Sequence, residues 1–284
     1  MMRTSQEMMD QLYAFVETHD AIRVFAMEGS RMNPEIVADA YQDFDVTFFV
    51  EKLDRWIKDE SWLDYFGERT LVQKPDAMEL FEAGEFGFSY LILFADGQKM
   101  DLTLNELTDL NTYLAEEPLG TVLVDKDGRL DEAVVADASK FHLKKPSAAE
   151  FDDCCNEFWW VTTYVSKGLL RHEFLFAVDH LNEIVRKELF RMLSWQVGLA
   201  FGFDRSIGKN DKFLPKYLAA DTWETIVKSF DLSSEEAVWK ALFSLVVLFK
   251  EVSVGVAEKL GYDYPDYADN IQPYLEKQYE DYRS

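Results

Sequence analysis

The chain has 284 residues, of which 48% are hydrophobic and 15% aromatic, enough for one large or two modest domains with sizeable cores. Its net charge of −24, from 29 basic and 53 acidic residues, argues against binding to the phosphate backbone of a nucleic acid. No apolar run reaches the roughly 20 residues that cross a bilayer, and the first residues lack the apolar segment of a secretory signal.

The only two cysteines, Cys154 and Cys155, are adjacent on a predicted helix. Neighbouring cysteines rarely form a disulfide with each other, so we expect a reduced protein in the cytoplasm, where ATP is available. A role for the pair as a reactive thiol or a metal site is the alternative.

The pattern of apolar residues in the first half of the chain predicts alternating helices and strands. Thr4 and Glu7 form a capping box that starts a helix. A strand over 22–27 then enters a Gly29-Ser30 turn, an aperiodic loop covers 31–42, and a second strand covers 43–50. One or two short helices follow within 51–82, with a strand near 70–73. A hairpin is predicted over 90–104, with its turn at Asp96-Gly97. Residues 105–140 are expected to contain a helix and a short strand at 121–124.

The composition changes near residues 144–146, and helical spacing dominates from there on. Ser147 and Glu150 form a second capping box at the start of the first of these helices. We predict helices over about 147–168, 173–198, 211–219, 221–230, 234–260 and 267–280. The predicted fold class is therefore α+β, with a mixed-sheet domain over 1–145 and an all-helical bundle over 146–284.

Two aspartates on the second strand are the first candidate for chemistry. Side chains alternate along a strand, so Asp43 and Asp45 share one face, while the even positions Phe, Val, Phe and Val form a core face. Carboxylates that lie so close repel each other unless a cation sits between them. Mg²⁺ prefers such oxygen ligands and is usually held by one or two carboxylates together with substrate phosphates.

A third acid, Asp101, lies on the return strand of the predicted hairpin. Met100, Leu102 and Leu104 form the apolar face of that strand, and Lys99, Asp101 and Thr103 form the other face. Both strands thus carry acids opposite an apolar face, as a shared metal site requires. The alternative is that each acid is an ordinary solvated strand or turn residue.

The Gly29-Ser30 turn followed by Asp43-Phe44-Asp45-Val46 resembles the signature of the polymerase-β-type nucleotidyltransferases. This resemblance implies that Gly29 and Ser30 hold a nucleoside triphosphate, and that Asp43, Asp45 and Asp101 are the catalytic metal ligands. Asp101 would hold a second metal, take the proton of the acceptor hydroxyl, or do both. Glu79 and Glu82 are further candidates for the base.

Longer segments resemble the aminoglycoside 6-adenylyltransferases, which are the streptomycin adenylyltransferases. They lie at 8–10, 28–31, 62–69, 100–104, 150–159, 179–186, 208–213 and 264–267, and so extend over nearly the whole chain. The family implies a polymerase-β-like N-terminal domain and a helical substrate-binding domain. It also implies Mg²⁺-dependent transfer of AMP from ATP to the 6-hydroxyl of streptomycin, which confers resistance.

The same resemblance suggests which residues bind the two substrates. Related enzymes balance triphosphate charge with basic residues of the helical domain, so Lys167 and Lys209 are nucleotide-binding candidates, and Lys212 is a weaker one. Arg31 is a further candidate because it directly follows Gly29-Ser30. Acids on the first two bundle helices would bind guanidinium groups through paired hydrogen bonds. The acceptor-binding candidates are Asp153, Asp179 and Glu183. Other polar residues on the same two helices are Asp152, Asn156, Glu157 and Asn182. Three tryptophans, Trp159, Trp160 and Trp195, could stack on the planar guanidinium groups.

Two other functions remain open at the level of sequence. The same core could nucleotidylate another small hydroxyl compound or a protein, or the chain could be a catalytically silent acidic binding module. The three aspartates argue against a silent module. The charge of −24 suits a cationic acceptor, because an acidic cleft attracts cations, but acidity also serves solubility. The sequence gives no information on the oligomeric state.

Overall fold

The computed structural model describes residues 2–81, 84 and 87–284. It divides into two compact units, Met1–Lys140 and Phe141–Ser284. The predicted domain boundary, between residues 145 and 146, lies a few residues further along the chain and stays a prediction. Within the described ranges, no helix is both long and apolar enough to cross a membrane.

The first unit alternates helices with strands, as the sequence predicts. In chain order its elements are α1 (Ser5–Thr18), β1 (Ile22–Met27), α2 (Gly29–Met32), β2 (Phe44–Val50), α3 (Leu53–Lys58), β3 (Arg69–Gln73), β4 (Phe88–Phe94), β5 (Lys99–Glu106), α4 (Leu110–Glu116) and β6 (Thr121–Asp125). Thr4 and Glu7 cap α1 reciprocally, so the predicted capping box is confirmed. Short 3₁₀ helices lie at Ser61–Phe66, Pro75–Ala77, Leu107–Asp109 and Ala138–Phe141.

The strands form one mixed sheet in the order β3-β4-β5-β2-β1-β6. The central pair β2 and β5 is parallel, and every other pair is antiparallel. The predicted hairpin joins β4 to β5, and Gly97 has a φ of +92° in its turn. With the helical second unit, this mixed sheet confirms the predicted fold class.

The two faces of the sheet are covered differently. One face holds the even positions of β2 together with Met100, Leu102 and Leu104 of β5. These side chains are at most 1% exposed and pack with Met8, Leu12 and Phe15 of α1. On the other face Val24, Ala26 and Phe49 pack against Leu110 of α4. This second core covers only part of the face. Beyond it the side chains of Asp45 and Asp101 are partly exposed.

The second unit is a bundle with one apolar core. Its helices are α5 (Ala148–Leu170), α6 (Phe174–His180), α7 (Arg186–Phe201), α8 (Ala220–Lys228), α9 (Glu235–Leu260) and α10 (Tyr267–Arg283). The capping box of Ser147 and Glu150 at the start of α5 is confirmed. A π-helical segment, Leu181–Val185, joins α6 to α7, so the helix predicted over 173–198 has an irregular turn inside it.

The prediction of a helix over 211–219 is wrong. Only two short 3₁₀ turns form there, Lys209–Asp211 and Leu214–Lys216. The cause is local, since Asn210 and Asp211 adopt left-handed φ values of 56° and 58°, a conformation that Asn and Asp tolerate better than most residues. A right-handed helix therefore cannot begin at Asp211, where the predicted helix starts.

Candidate active site

The central parallel strand pair brings two of the three predicted acids together. Asp45 on β2 is the direct register partner of Asp101 on β5, and neighbouring strands lie about 4.8 Å apart. Asp43 immediately precedes β2, two residues before Asp45 and therefore on the same side. Both strands are anchored by fully buried apolar residues on their opposite face, which fixes the direction of these carboxylates.

The carboxylates destabilise each other's charge. Burial, with the nearby charges of Asp101 and Asp43, raises the pKa of Asp45 to about 6. Burial and the charge of Asp43 also raise the pKa of Asp101 above its usual range. A cation between the two would remove this repulsion.

These residues fit a magnesium ion that arrives with its nucleotide. In the described part of the chain no three His, Cys, Asp or Glu side chains converge as a ready metal cage. Mg²⁺ does not need one, because it usually keeps several waters and uses one or two carboxylates plus substrate phosphates. Asp45 and Asp101, side by side and with raised pKa values, would supply that pair of hard oxygen ligands.

Gly29 lies directly against the carboxylate of Asp45. Its φ is +71°, and a Cβ built on it would lie 2.1 Å from Oδ2 of Asp45. The backbone N–H of Glu28 also donates to the carbonyl of Asp45, at 3.2 Å. Glycine is therefore required here both for its backbone conformation and for the space that Asp45 occupies. The turn carrying Ser30 and the strand carrying the acid thus form one contiguous surface.

Arg31 holds the loop that precedes β2. Its Nε donates to the carbonyl of Asp43 at 2.9 Å, and Nη2 donates to that of Gln42 at 2.7 Å. Nη1 reaches Oγ of Ser5, and the guanidinium carbon lies 3.7 Å from the ring centroid of Phe44. Since all three nitrogens are engaged, Arg31 positions Asp43 in this structure. Its predicted contact with a nucleotide stays a prediction.

An acidic cavity of about 250 Å³ opens on the same sheet face, and sequence reasoning missed it. It is lined by Glu28, Thr47, Thr103, Asn105, Asp109, Tyr113, Glu116 and Glu117. The hydroxyls of Thr47 and Tyr113 each donate to Glu28 at 2.8 Å. Burial raises the pKa of Glu28 to about 7 despite these bonds. Strand alternation with Val24 and Ala26 could have placed Glu28 on this face, but the α4 residues join it only through the tertiary fold.

The predicted residues of the second unit lie on its helices and turns, and their roles stay predictions. Lys167 is exposed, with Nζ 4.6 Å from the ring centroid of Tyr164, and Lys209 is exposed at a 3₁₀ turn. Asp153 and Asp179 are exposed. Glu183 lies in the π-helical segment and is paired with Lys187 at 2.7 Å.

The three tryptophans proposed for stacking separate into two kinds. Trp159 and Trp195 are 1% and 8% exposed and belong to the core of the bundle, so a stacking role for them is wrong in this structure. Trp160, 56% exposed, keeps its ring accessible. The further base candidate Glu79 is exposed, and Glu82 lies outside the described residues.

Comparisons with known proteins agree on one family. The family described as Streptomycin adenylyltransferase matches residues 2–278. The chain is 46% identical over 281 residues to an aminoglycoside 6-adenylyltransferase of Campylobacter jejuni, covering 99% of this chain and 98% of that protein. It is 45% identical to the Bacillus subtilis enzyme of the same name, with 97% and 98% covered. A crystal structure of a B. subtilis aminoglycoside 6-adenyltransferase is 41% identical, covers 98% and 99% of the two chains, and has a TM-score of 0.49.

Proposed function

The chain belongs to the streptomycin adenylyltransferase family, and on that premise we propose that it transfers AMP from ATP to a hydroxyl group of an aminoglycoside, releasing pyrophosphate. The proposed acceptor is streptomycin and the proposed atom its 6-hydroxyl oxygen. Adenylylation would make the drug unfit for its ribosomal site and so confer resistance. The observation that supports this activity best is the register of Asp45 and Asp101 beside the Gly29-Ser30 turn.

The reaction needs an in-line attack of the acceptor oxygen on the α-phosphorus. Gly29 and Ser30 are proposed to hold the triphosphate against the backbone of their turn, next to Asp45. Asp43, Asp45 and Asp101 would hold Mg²⁺, which neutralises charge on the entering and leaving oxygens. Asp101 is the carboxylate we propose to accept the hydroxyl proton. Burial raises the pKa of Asp101, so its carboxylate holds a proton more tightly than an exposed aspartate does.

We propose that basic residues bind the negatively charged ATP and that acidic residues bind the positively charged aminoglycoside. Lys167 and Lys209, whose side chains are exposed, are proposed to offset the negative charge of the triphosphate. Asp153, Asp179 and Glu183 are proposed to pair with the cationic groups of the aminoglycoside. The side chains of all three are exposed, and Glu183 would exchange its ion pair with Lys187 for the ligand.

The proposed compartment is the cytoplasm, which supplies ATP and keeps thiols reduced. Cys154 and Cys155 are both buried free thiols. Burial raises the pKa of Cys155 to about 12 and that of Cys154 further still, so both stay protonated near neutral pH. A protonated thiol is neither a nucleophile nor a good metal ligand, which argues against the alternative role for the pair.

Pyrophosphate release tests the proposal directly. The protein would be supplied with ATP, Mg²⁺ and a panel of aminoglycosides, and we expect release with streptomycin that depends on both drug and metal. Turnover with another hydroxyl compound and none with streptomycin would identify a different nucleotidyltransferase. Absence of release with every acceptor would leave only the binding module.

A further inference from the structure

The side chain directly before the Gly29-Ser30 turn is held at both of its oxygens. Glu28 precedes Gly29, and its carboxyl group is only partly exposed. The hydroxyl of Thr47 on β2 donates to Oε1 at 2.8 Å, and the hydroxyl of Tyr113 on α4 donates to Oε2 at 2.8 Å. A carboxyl group that accepts from two different elements of the fold has little freedom to turn.

The backbone of Glu28 makes a second link to the same strand. Its N–H donates to the carbonyl of Asp45 at 3.2 Å, and the next residue, Gly29, packs against the carboxylate of Asp45. Thr47 lies two residues beyond Asp45, so its hydroxyl projects from the same face of β2. Glu28 therefore joins the turn to β2 through its main chain and through its side chain.

Tyr113 is a donor with a fixed position. Its ring packs edge-on against the ring of Phe49, which is fully buried on β2, with 5.2 Å between the centroids. Gly120 leaves room for the hydroxyl, because a Cβ built on Gly120 would lie 3.1 Å from that oxygen. The position of this hydroxyl is thus set by packing, and Glu28 is held against a rigid partner rather than a mobile one.

We propose that Glu28 is a positioning residue for the nucleotide: held by Thr47 and Tyr113, it keeps the Gly29-Ser30 turn in the conformation that receives the triphosphate. The inference rests on the proposed function for the identity of the nucleotide. The two oxygens of Glu28 face Thr47 and Tyr113, so Glu28 acts through the turn and does not touch a phosphate. One hydroxyl of α4, which is distant from the turn in sequence, thereby contributes to the affinity for ATP.

Two substitutions that keep the shape of the side chain test the assignment. Tyr113→Phe and Thr47→Val each remove one hydroxyl donor and leave the ring or the branched side chain in place. The Kd of ATP for the full chain would be measured by calorimetry with Mg²⁺ present. We expect each variant to raise this Kd by about tenfold, because an acceptor that loses its donor in a partly buried site seeks another partner and releases the turn.

Tyr90→Phe is the matched control within the same unit. Tyr90 donates to Oε1 of Glu60 at 3.2 Å and lies on the opposite face of the sheet, among the residues packed against α1. Tyr113→Phe and Tyr90→Phe each lose one bond from a phenol to a carboxylate, so we expect similar losses in Tm. The Kd of ATP should change by less than about twofold in Tyr90→Phe, because distant sites act independently.

Streptomycin binding gives a readout that general damage to the fold would also move. Its Kd, measured without ATP, should change by less than about twofold in Tyr113→Phe and Thr47→Val, since only the nucleotide turn is affected. An unchanged Kd of ATP in both variants would overturn the assignment. A Kd of ATP raised as much by Tyr90→Phe, or a parallel loss of streptomycin binding, would show a structural role alone and would overturn it too.

Failure of this assignment and failure of the proposed activity give different results. ATP binding that depends on Tyr113 and Thr47, without AMP transfer by the wild type, would refute the proposed activity and support the positioning role of Glu28. AMP transfer by the wild type, with ATP binding insensitive to both substitutions, would support the activity and refute the positioning role.

Discussion

At the scale of single residues, the candidate site depends on the close packing of Gly29 against Asp45. The carboxylate of Asp45 occupies the volume that a side chain at position 29 would need. The acid and the glycine are therefore one structural unit. The sequence shows only that they are separated by a loop.

Gly29→Ala tests this coupling. We expect a loss of at least about a hundredfold in kcat, because a small displacement of a catalytic group costs that much. The unfavourable positive φ should also lower the free energy of unfolding by about 1–2 kcal/mol. Gly128→Ala is the matched control, with a φ of +60° and no atom within 4 Å of the added Cβ. It should lose only the stability that the positive φ costs and keep its activity. Equal kinetic losses in both variants would contradict the coupling.

Asp45→Asn should stabilise the metal-free protein at alkaline pH. Because the pKa of Asp45 is raised to about 6 from 3.8, the folded chain binds this proton more tightly than the unfolded chain does. The unfolding free energy of the wild type therefore falls as pH rises from about 4 to about 6, and it stays lower above that range. Asp45→Asn removes the carboxylate charge, so the variant does not lose this part of the unfolding free energy as pH rises.

Thermal unfolding without metal, at pH 5 and pH 8, measures this effect. The Tm of Asp45→Asn should exceed that of the wild type at pH 8, and the difference should shrink at pH 5. Added Mg²⁺ should raise the Tm of the wild type more than that of the variant. A variant less stable than the wild type at pH 8 would contradict the charge repulsion.

At the scale of elements, the π-helical segment between α6 and α7 is held by a buried arginine. Arg186 is 3% exposed and donates to Oγ and the carbonyl of Ser229 at 2.6 and 2.9 Å. Its Nε reaches Asn182 at 3.2 Å, and its guanidinium carbon lies 3.7 Å from the ring centroid of Phe230. Ser229 follows the last residue of α8, where helix carbonyls are unpaired, so the cation also favours that helix end.

Arg186→Lys should therefore lower the free energy of unfolding by about 2 kcal/mol, because lysine lacks the planar fork that makes these bonds together. Urea unfolding provides the measurement. Lys187→Ala breaks only the exposed pair with Glu183 and should cost less than about 1 kcal/mol. Equal losses in the two variants would show that the Ser229 contacts contribute little.

The elements also show how far sequence reasoning reaches. The β2 strand, the β4–β5 hairpin and both capping boxes follow from local patterns, and the structure confirms them. The π-helical segment could not be predicted, because its apolar residues Leu181 and Val185 fit helical spacing equally well. The acidic cavity was missed because Glu28 and Glu117 meet only when α4 covers the sheet. Contacts distant in sequence carry no periodic signal.

At the scale of the whole molecule, the net charge of −24 should attract the cationic acceptor, whereas it should not attract the anionic ATP. Salt screens exposed charges, and the Debye length falls to about 10 Å at 0.1 M. The KM for streptomycin should therefore rise steeply between low and physiological salt, while the KM for ATP should not rise in parallel. Initial rates at several salt concentrations would show this, and a flat streptomycin KM would argue against acidic recognition.

The central claim is that the carboxylates paired across β2 and β5 carry out AMP transfer, and Asp101→Asn tests it most directly. The amide keeps the shape of the side chain but is a poorer ligand for Mg²⁺ and cannot take a proton. Mass spectrometry of streptomycin after incubation with ATP and Mg²⁺ would measure transfer, and calorimetry would measure ATP binding. We predict transfer reduced at least about a thousandfold, with ATP binding largely retained through Asp43 and Asp45. Transfer by the variant at the wild-type rate would show that Asp101 is only a strand residue and would contradict the account.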